Sequence, residues 1–149
     1  LEANGLDPRH LLVEITENVF MDKSPYVHKT FKALKELGVG IALDDFGTGY
    51  SSLGYLKDFP VHSVKIDRSF GKDIETDARD NALVRSIISM AHNMGLTVTA
   101  EGVETASQRA LLEELGCDEL QGYLFSRPVP EAEATGLLRA GTGGQAAER

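Results

Sequence analysis

Glu14, the adjacent pair Asp44 and Asp45, Lys65 with Asp67, Glu101 and Gln121 are the residues whose types and spacing suit chemistry. They fall on five short runs rich in Val, Ile and Leu, each within a run or at its C-terminal end. An acidic residue taken singly is ordinary in a loop or a cap. Ionised groups inside apolar segments, however, lose hydration unless they are paired or bind a cation. Five runs with such groups in similar places therefore point to one shared site.

The donor chemistry narrows what that site holds. Carboxylates without cysteine or clustered histidine suit hard, oxygen-bound divalent ions, Mg²⁺ or Mn²⁺. Asp44 and Asp45 together can serve two ions, with one carboxylate bridging. Two ions roughly 3.5 to 4 Å apart activate a water and stabilise the oxygens of an in-line phosphoryl displacement. Lys65 beside them would hold the attacking water and offset charge on the pentacoordinate phosphorus. Its alternative is a structural ion pair with Asp67.

Other metal and nucleotide signatures are missing. Cys117 is the only cysteine, which rules out a disulfide framework or a cysteine-based zinc site and leaves a buried structural thiol. His10, His28, His62 and His92 lack the pairing of a histidine metal site and are expected at the surface or in packing. The run Asp45-Phe46-Gly47-Thr48-Gly49-Tyr50-Ser51-Ser52 lacks the third glycine of a dinucleotide fingerprint and a Walker lysine. It reads as a loop that closes over the metals and positions Asp45, or as a plain tight turn.

The elements that must position these residues follow from pattern. The five runs, read as strands, are Leu11–Thr16, Val39–Asp44, Ser63–Asp67, Leu96–Glu101 and Glu119–Phe125. Between them Pro25–Leu37 carries Val27, Phe31 and Leu34 on one stripe, with Ser24 as cap, Pro25 in the first turn and Gly38 as stop. A short helix is predicted over Ser52–Phe59. A long one over Asp77–Met94 is predicted to present Leu83, Ile87, Met90 and Met94 and to end at Gly95. Thr105 and Gln108 form a capping-box pattern before Leu111, Leu112 and Leu115, with Gly116 as stop. A last helix follows Pro130, and the tail 141–149 is predicted to be disordered.

Strand and helix in alternation with short connections specify an α/β fold with parallel strands and right-handed crossovers. A barrel gathers the C-terminal strand ends around one mouth, whereas an open sheet spreads them along an edge. The placement of the charges favours the barrel.

Composition sets outer limits. The chain of 149 residues is 42% hydrophobic, enough for one core, and its net charge of −8 argues against extended nucleic acid as a partner. Bound divalent cations would still admit a small anionic substrate. Without an apolar run of membrane-spanning length or a secretory leader, the sequence reads as cytoplasmic. It opens at Leu1 rather than Met, in what reads as the end of a helix, so an upstream segment is expected.

Five motifs in register carry a resemblance. Glu14-Ile15-Thr16-Glu17, Asp44-Asp45-Phe46-Gly47-Thr48-Gly49-Tyr50-Ser51-Ser52-Leu53, Lys65-Ile66-Asp67, Ala100-Glu101-Gly102-Val103-Glu104-Thr105 and Gln121-Gly122-Tyr123-Leu124-Phe125 resemble the C-terminal motifs of the EAL-domain family over about Leu1 to Pro130. The resemblance implies the C-terminal portion of a modified TIM-type (β/α)₈ barrel, with about five βα units within residues 1–140. It also implies a phosphodiesterase that opens cyclic di-GMP to linear pGpG with two Mg²⁺ or Mn²⁺ ions. On it, Glu14 resembles a ligand of the first metal, Asp44 the shared ligand, and Asp45 and Glu101 ligands of the second. Lys65 is similar to the lysine that contacts the nucleophilic water. Gln121 is similar to the glutamine on the far side, and Asp67 lines the site. Glu17 is similar to the glutamate that anchors the loop after Asp45, a loop that couples dimerisation to catalysis.

The family's Glu-Ala-Leu motif, its substrate-gripping arginine and an asparagine of the first metal shell precede the region matched here. A barrel of this type runs to roughly 250 residues. The expectation is an active phosphodiesterase as the full-length protein, a homodimer through the barrel. It would carry an upstream sensory or cyclase domain, with a membrane anchor in the missing segment as an option. The isolated chain, with unpaired strand edges, is expected to be inactive. The alternatives are a catalytically inactive EAL domain that senses the dinucleotide or binds a protein, and a different metal-dependent barrel enzyme.

Overall fold

A computed structural model describes residues 1–20, 24–48, 56 and 59–140. Its centre is a parallel five-stranded sheet in the order β1-β2-β3-β4-β5: Leu12–Thr16, Gly40–Phe46, Ser63–Ile66, Thr97–Ala100 and Glu119–Leu120. The spatial order follows the chain order without reversal, so every crossover advances in one direction. A doubly wound sheet would reverse at a switch point. An unreversed parallel order is the arrangement of a (β/α) barrel wall.

The helices are α1 Glu17–Phe20, α2 Pro25–Glu36, α3 Arg68–Gly71, α4 Ala78–Asn93, α5 Ala106–Glu114 and α6 Glu131–Arg139. Their ends match the local chemistry. Ser24 caps α2 by accepting from Tyr26 N, and Thr105 and Gln108 form a full capping box on α5. Strand interiors Ile41, Leu43, Val64, Ile66 and Val98 are almost fully buried and pack against Phe31, Val84, Ile88 and Leu112 from the helices. Strands β2 to β4 are largely buried and read as near-continuous apolar runs, whereas β1 alternates exposed and half-buried residues.

Two expectations need correction. The buried face of α4 is Val84, Ile87, Ile88 and Ala91, whereas Leu83 and Met94 are exposed. The stripe is turned by about one residue, because the sheet beneath selects small and β-branched side chains there. The fifth strand pairs only at Glu119–Leu120, not through Phe125. Beyond it the chain wraps around Val103: Val103 N donates to Gln121 O, Leu124 N donates to Val103 O, and Phe125 N closes a turn on Gly122 O. The expected helix over Ser52–Phe59 lies outside the described residues except for Leu56 and Phe59, both buried, and so does the tail 141–149.

Three of the four histidines and the cysteine have structural partners, while His10 is exposed. His62 Nδ1 accepts from Ile41 N, His28 packs on Phe59, and His92 meets Asp118. The Cys117 thiol, half-buried and directed at the carbonyls of Val98 and Glu119, is pushed up to about 11, chiefly by burial.

Candidate active site

The site lies at the C-terminal ends of β1 to β4, where four side chains converge. Lys65 projects from the fully buried strand β3 and its side chain is only 7% exposed. Its ammonium lies 2.7 Å from Glu14 Oε1, 2.5 Å from Glu101 Oε1 and 3.5 Å from Asp44 Oδ1. Burial works against the charge. The bonds to Glu101 and Glu14 and the nearby Asp44 outweigh it and hold Lys65 above the ordinary lysine range. Lys65 therefore remains a cation at neutral pH.

Asp45 joins the cluster through a backbone irregularity. Neighbouring residues of a regular strand point to opposite faces. Here Leu43 pairs with Val64 and Phe46 with Ile66, three steps on β2 against two on β3. The extra residue is a bulge. Asp45 sits at φ +54°, the one described non-glycine residue with positive φ, a conformation that aspartate tolerates better than most side chains. In consequence Asp44, Asp45 and Glu101 each place a carboxylate oxygen within 4.8 Å of the other two. The loop then turns tightly, with Thr48 donating from both N and Oγ1 to Asp45 O.

These residues fit a divalent cation. All donors are carboxylate oxygens, as hard ions require. Asp44 Oδ1 is buried and has no hydrogen-bond partner among the described residues, with only a long ion pair of 3.5 Å to Lys65 and two other carboxylates beside it. Groups of that kind are rare in folded proteins unless something else completes them.

Gln121 follows β5, donating its N–H to Ala100 O. It lines an open cleft of about 180 Å³ with Glu101, Arg68, Glu104 and Tyr123. Sequence reasoning passed over Arg68 and Tyr123 as site residues. Their signal was position alone, since Arg68 directly follows Lys65-Ile66-Asp67 and Tyr123 lies two residues beyond Gln121. Arg127 stacks on the Tyr123 ring with 4.4 Å from its guanidinium carbon to the ring centroid.

Asp67 is placed otherwise. Its carboxylate accepts from Ser69 N at 3.0 Å and caps α3, and its pKa is lowered chiefly by the Ser69 side chain, against burial, with the backbone bond from Ser69 adding to the effect. Lys65 pairs with Glu14, Asp44 and Glu101 instead of Asp67. Glu17 opens α1 and is buried, and neither of its carboxylate oxygens has a hydrogen-bond partner among the described residues. The loop it was expected to anchor continues at 49–55, outside the described residues.

A parallel, unreversed strand wall whose C-terminal ends gather carboxylates and a lysine defines the class: a (β/α)-barrel site with oxygen donors that suit a divalent ion. The particular family follows from comparison. The EAL domain family model matches residues 1–128, and the chain belongs to that family. It is 53% identical over 130 residues to the signaling protein YkoW of Bacillus subtilis, covering 87% of this chain and 16% of YkoW. It is 47% identical over 140 residues to the cyclic di-GMP phosphodiesterase NbdA of Pseudomonas aeruginosa, covering 94% of this chain and 18% of NbdA. The manganese/cy-diGMP complex of Klebsiella pneumoniae BlrP1 superposes with a TM-score of 0.79 at 40% identity, covering 86% of this chain and 33% of that one. The chain thus spans less than a fifth of the two relatives and a third of the solved chain. No described helix is long and apolar enough to cross a membrane.

Proposed function

We propose that this chain supplies the metal-binding and water-positioning face of a phosphodiesterase that opens cyclic di-GMP to linear pGpG with two Mg²⁺ or Mn²⁺ ions. The observation that carries the reading is the convergence of Glu14, Asp44 and Glu101 on one buried lysine, with Asp45 grouped beside Asp44 and Glu101. Support comes from NbdA, a phosphodiesterase of that messenger by name, and from the BlrP1 complex with manganese and the dinucleotide.

Asp44 would be the ligand shared by the two ions, with Glu14 holding the first and Asp45 and Glu101 the second. When bound, the ions supply Lewis acidity toward water and the phosphate oxygens. In the reaction a water oxygen adds to one phosphorus, the P–O3′ bond breaks, and the 3′ oxygen leaves with a proton. Lys65 acts here as a cation beside the attacking water. It donates hydrogen bonds, orienting the water and offsetting the negative charge that grows on phosphorus. Gln121 and the Arg68 cleft border the substrate on the β5 side. Asp67 acts at one remove, by capping the helix that carries Arg68. Glu17 supports the loop after Asp45.

The functional unit in this reading is a cytoplasmic homodimer through the barrel, with an upstream sensory or cyclase domain. The test is to incubate the full-length protein with cyclic di-GMP and Mn²⁺ and follow products by chromatography. Appearance of pGpG supports the proposal. Tight binding without turnover would indicate a sensor instead.

A further inference from the structure

The four carboxylates of the site carry a formal −4 against a single ammonium. That ammonium makes its two shortest contacts with Glu14 and Glu101 and lies 3.5 Å from Asp44 Oδ1, which has no hydrogen bond among the described residues. Asp44 and Glu101 are also two of the three residues whose oxygens group closely enough to hold a cation. One buried lysine and the incoming ions therefore address the same acids.

We propose that Lys65 is the resident counter-cation of the metal-free site, and that divalent ions displace it from Glu14 and Glu101 as they bind. The inference rests on the two-metal reading above. Its physical basis is competition. Mutually repelling carboxylates held close together need a cation to stay folded in place, and Lys65, buried on β3, provides one from within the chain. A carboxylate oxygen engaged by a short ammonium bond is a weaker donor to a metal. A fixed positive charge at the same spot also repels an arriving dication. Lys65 thus stabilises the empty site and opposes its filling. Once displaced, the ammonium faces the space where water and substrate enter, the position its later task requires.

The test compares wild type, Lys65→Met, which keeps the length without the charge, and Lys65→Arg, which keeps the charge. Melting is measured in EDTA and in Mn²⁺, and Mn²⁺ binding is measured from the free-ion EPR signal of the full-length protein. Lys65→Met should melt several degrees lower in EDTA, bind Mn²⁺ several-fold more tightly than wild type, and gain more melting temperature from the ion. Lys65→Arg should stay near wild type in EDTA. Equal or weaker Mn²⁺ binding by Lys65→Met overturns the proposal, since the lysine would then be preorganising the ligands. Absence of Mn²⁺ binding by wild type overturns the two-metal reading itself. A second reading needs no substitution: Mg²⁺ titrated into wild type should speed hydrogen exchange at the Lys65 ammonium as it leaves its carboxylate cage. Unchanged exchange at saturating Mg²⁺ would refute displacement.

Discussion

Gly122 lies directly against the backbone of Val103, so close that a Cβ at position 122 would overlap the N, C and O atoms of Val103. This contact, with the bond from Val103 N to Gln121 O, fixes how the chain leaves β5 and therefore where Gln121 sits beside Glu101. Gly122→Ala forces the two backbones apart. A loss of about 1 to 3 kcal/mol in stability is expected, together with a higher KM for cyclic di-GMP. Denaturant melts and steady-state kinetics check both. A variant with native stability would show that the contact is slack.

Asp45 combines an unfavourable backbone with a needed carboxylate. Left-handed conformation at a non-glycine residue costs about 1 kcal/mol or more, and glycine adopts it freely. Asp45→Gly is expected to melt at or above the wild-type temperature in EDTA while losing nearly all turnover. A clear drop in melting temperature would mean that the Asp45 side chain stabilises the fold rather than being carried at a cost.

The pair His92 and Asp118 ties α4 to the start of β5. Asp118 Oδ2 lies 2.8 Å from His92 Nε2 and accepts from Val98 N at 2.8 Å. Burial alone would raise the Asp118 pKa, but the bonds from His92 and Val98 prevail and it lies below the ordinary 3.8. A lowered carboxylate pKa gives stability that is present above the unfolded value and lost as pH falls through the folded one. Asp118→Asn should therefore melt below wild type at neutral pH, with the gap closing below about pH 4. A gap that persists at pH 2 would rule out the ionised pair as its source.

Thr105 and Gln108 close the capping box of α5, which follows the strand end carrying Glu101. Thr105→Ala should cost about 1 kcal/mol of stability with little change in turnover, as read by paired melts and assays. A large fall in turnover at unchanged stability would assign Thr105 a place in the site.

Much of this was legible in the sequence for identifiable reasons. Charged residues at the ends of apolar runs, Glu14, Asp44, Lys65 and Glu101, stand out because burial penalises them unless they meet, and they do meet. The cap residues Ser24 and Thr105 were readable because capping is local chemistry. What escaped depends on tertiary contact. The face of α4 is chosen by the sheet beneath it, so Val84 and Ala91 replaced Leu83 and Met94. The shortness of β5 comes from the chain folding around Val103, which no strand propensity reveals. The bulge that turns Asp45 toward Asp44 depends on its register against β3. The partner of Lys65 likewise depends on which strand ends adjoin, and Asp67, near in sequence, turned instead to cap a helix.

Asp44 is the carboxylate on which the two-metal reading depends most, with its buried Oδ1 lacking a hydrogen bond among the described residues and its oxygens shared between the Lys65 ion pair and the group it forms with Asp45 and Glu101. Cyclic di-GMP turnover by the full-length protein and by Asp44→Asn, both in saturating Mn²⁺ and matched for folding by melting, tests this dependence. Asn keeps the shape and removes the charge, so turnover is predicted to fall by more than about a hundredfold. Undiminished turnover in Asp44→Asn would contradict a site built on Asp44 as the shared metal ligand.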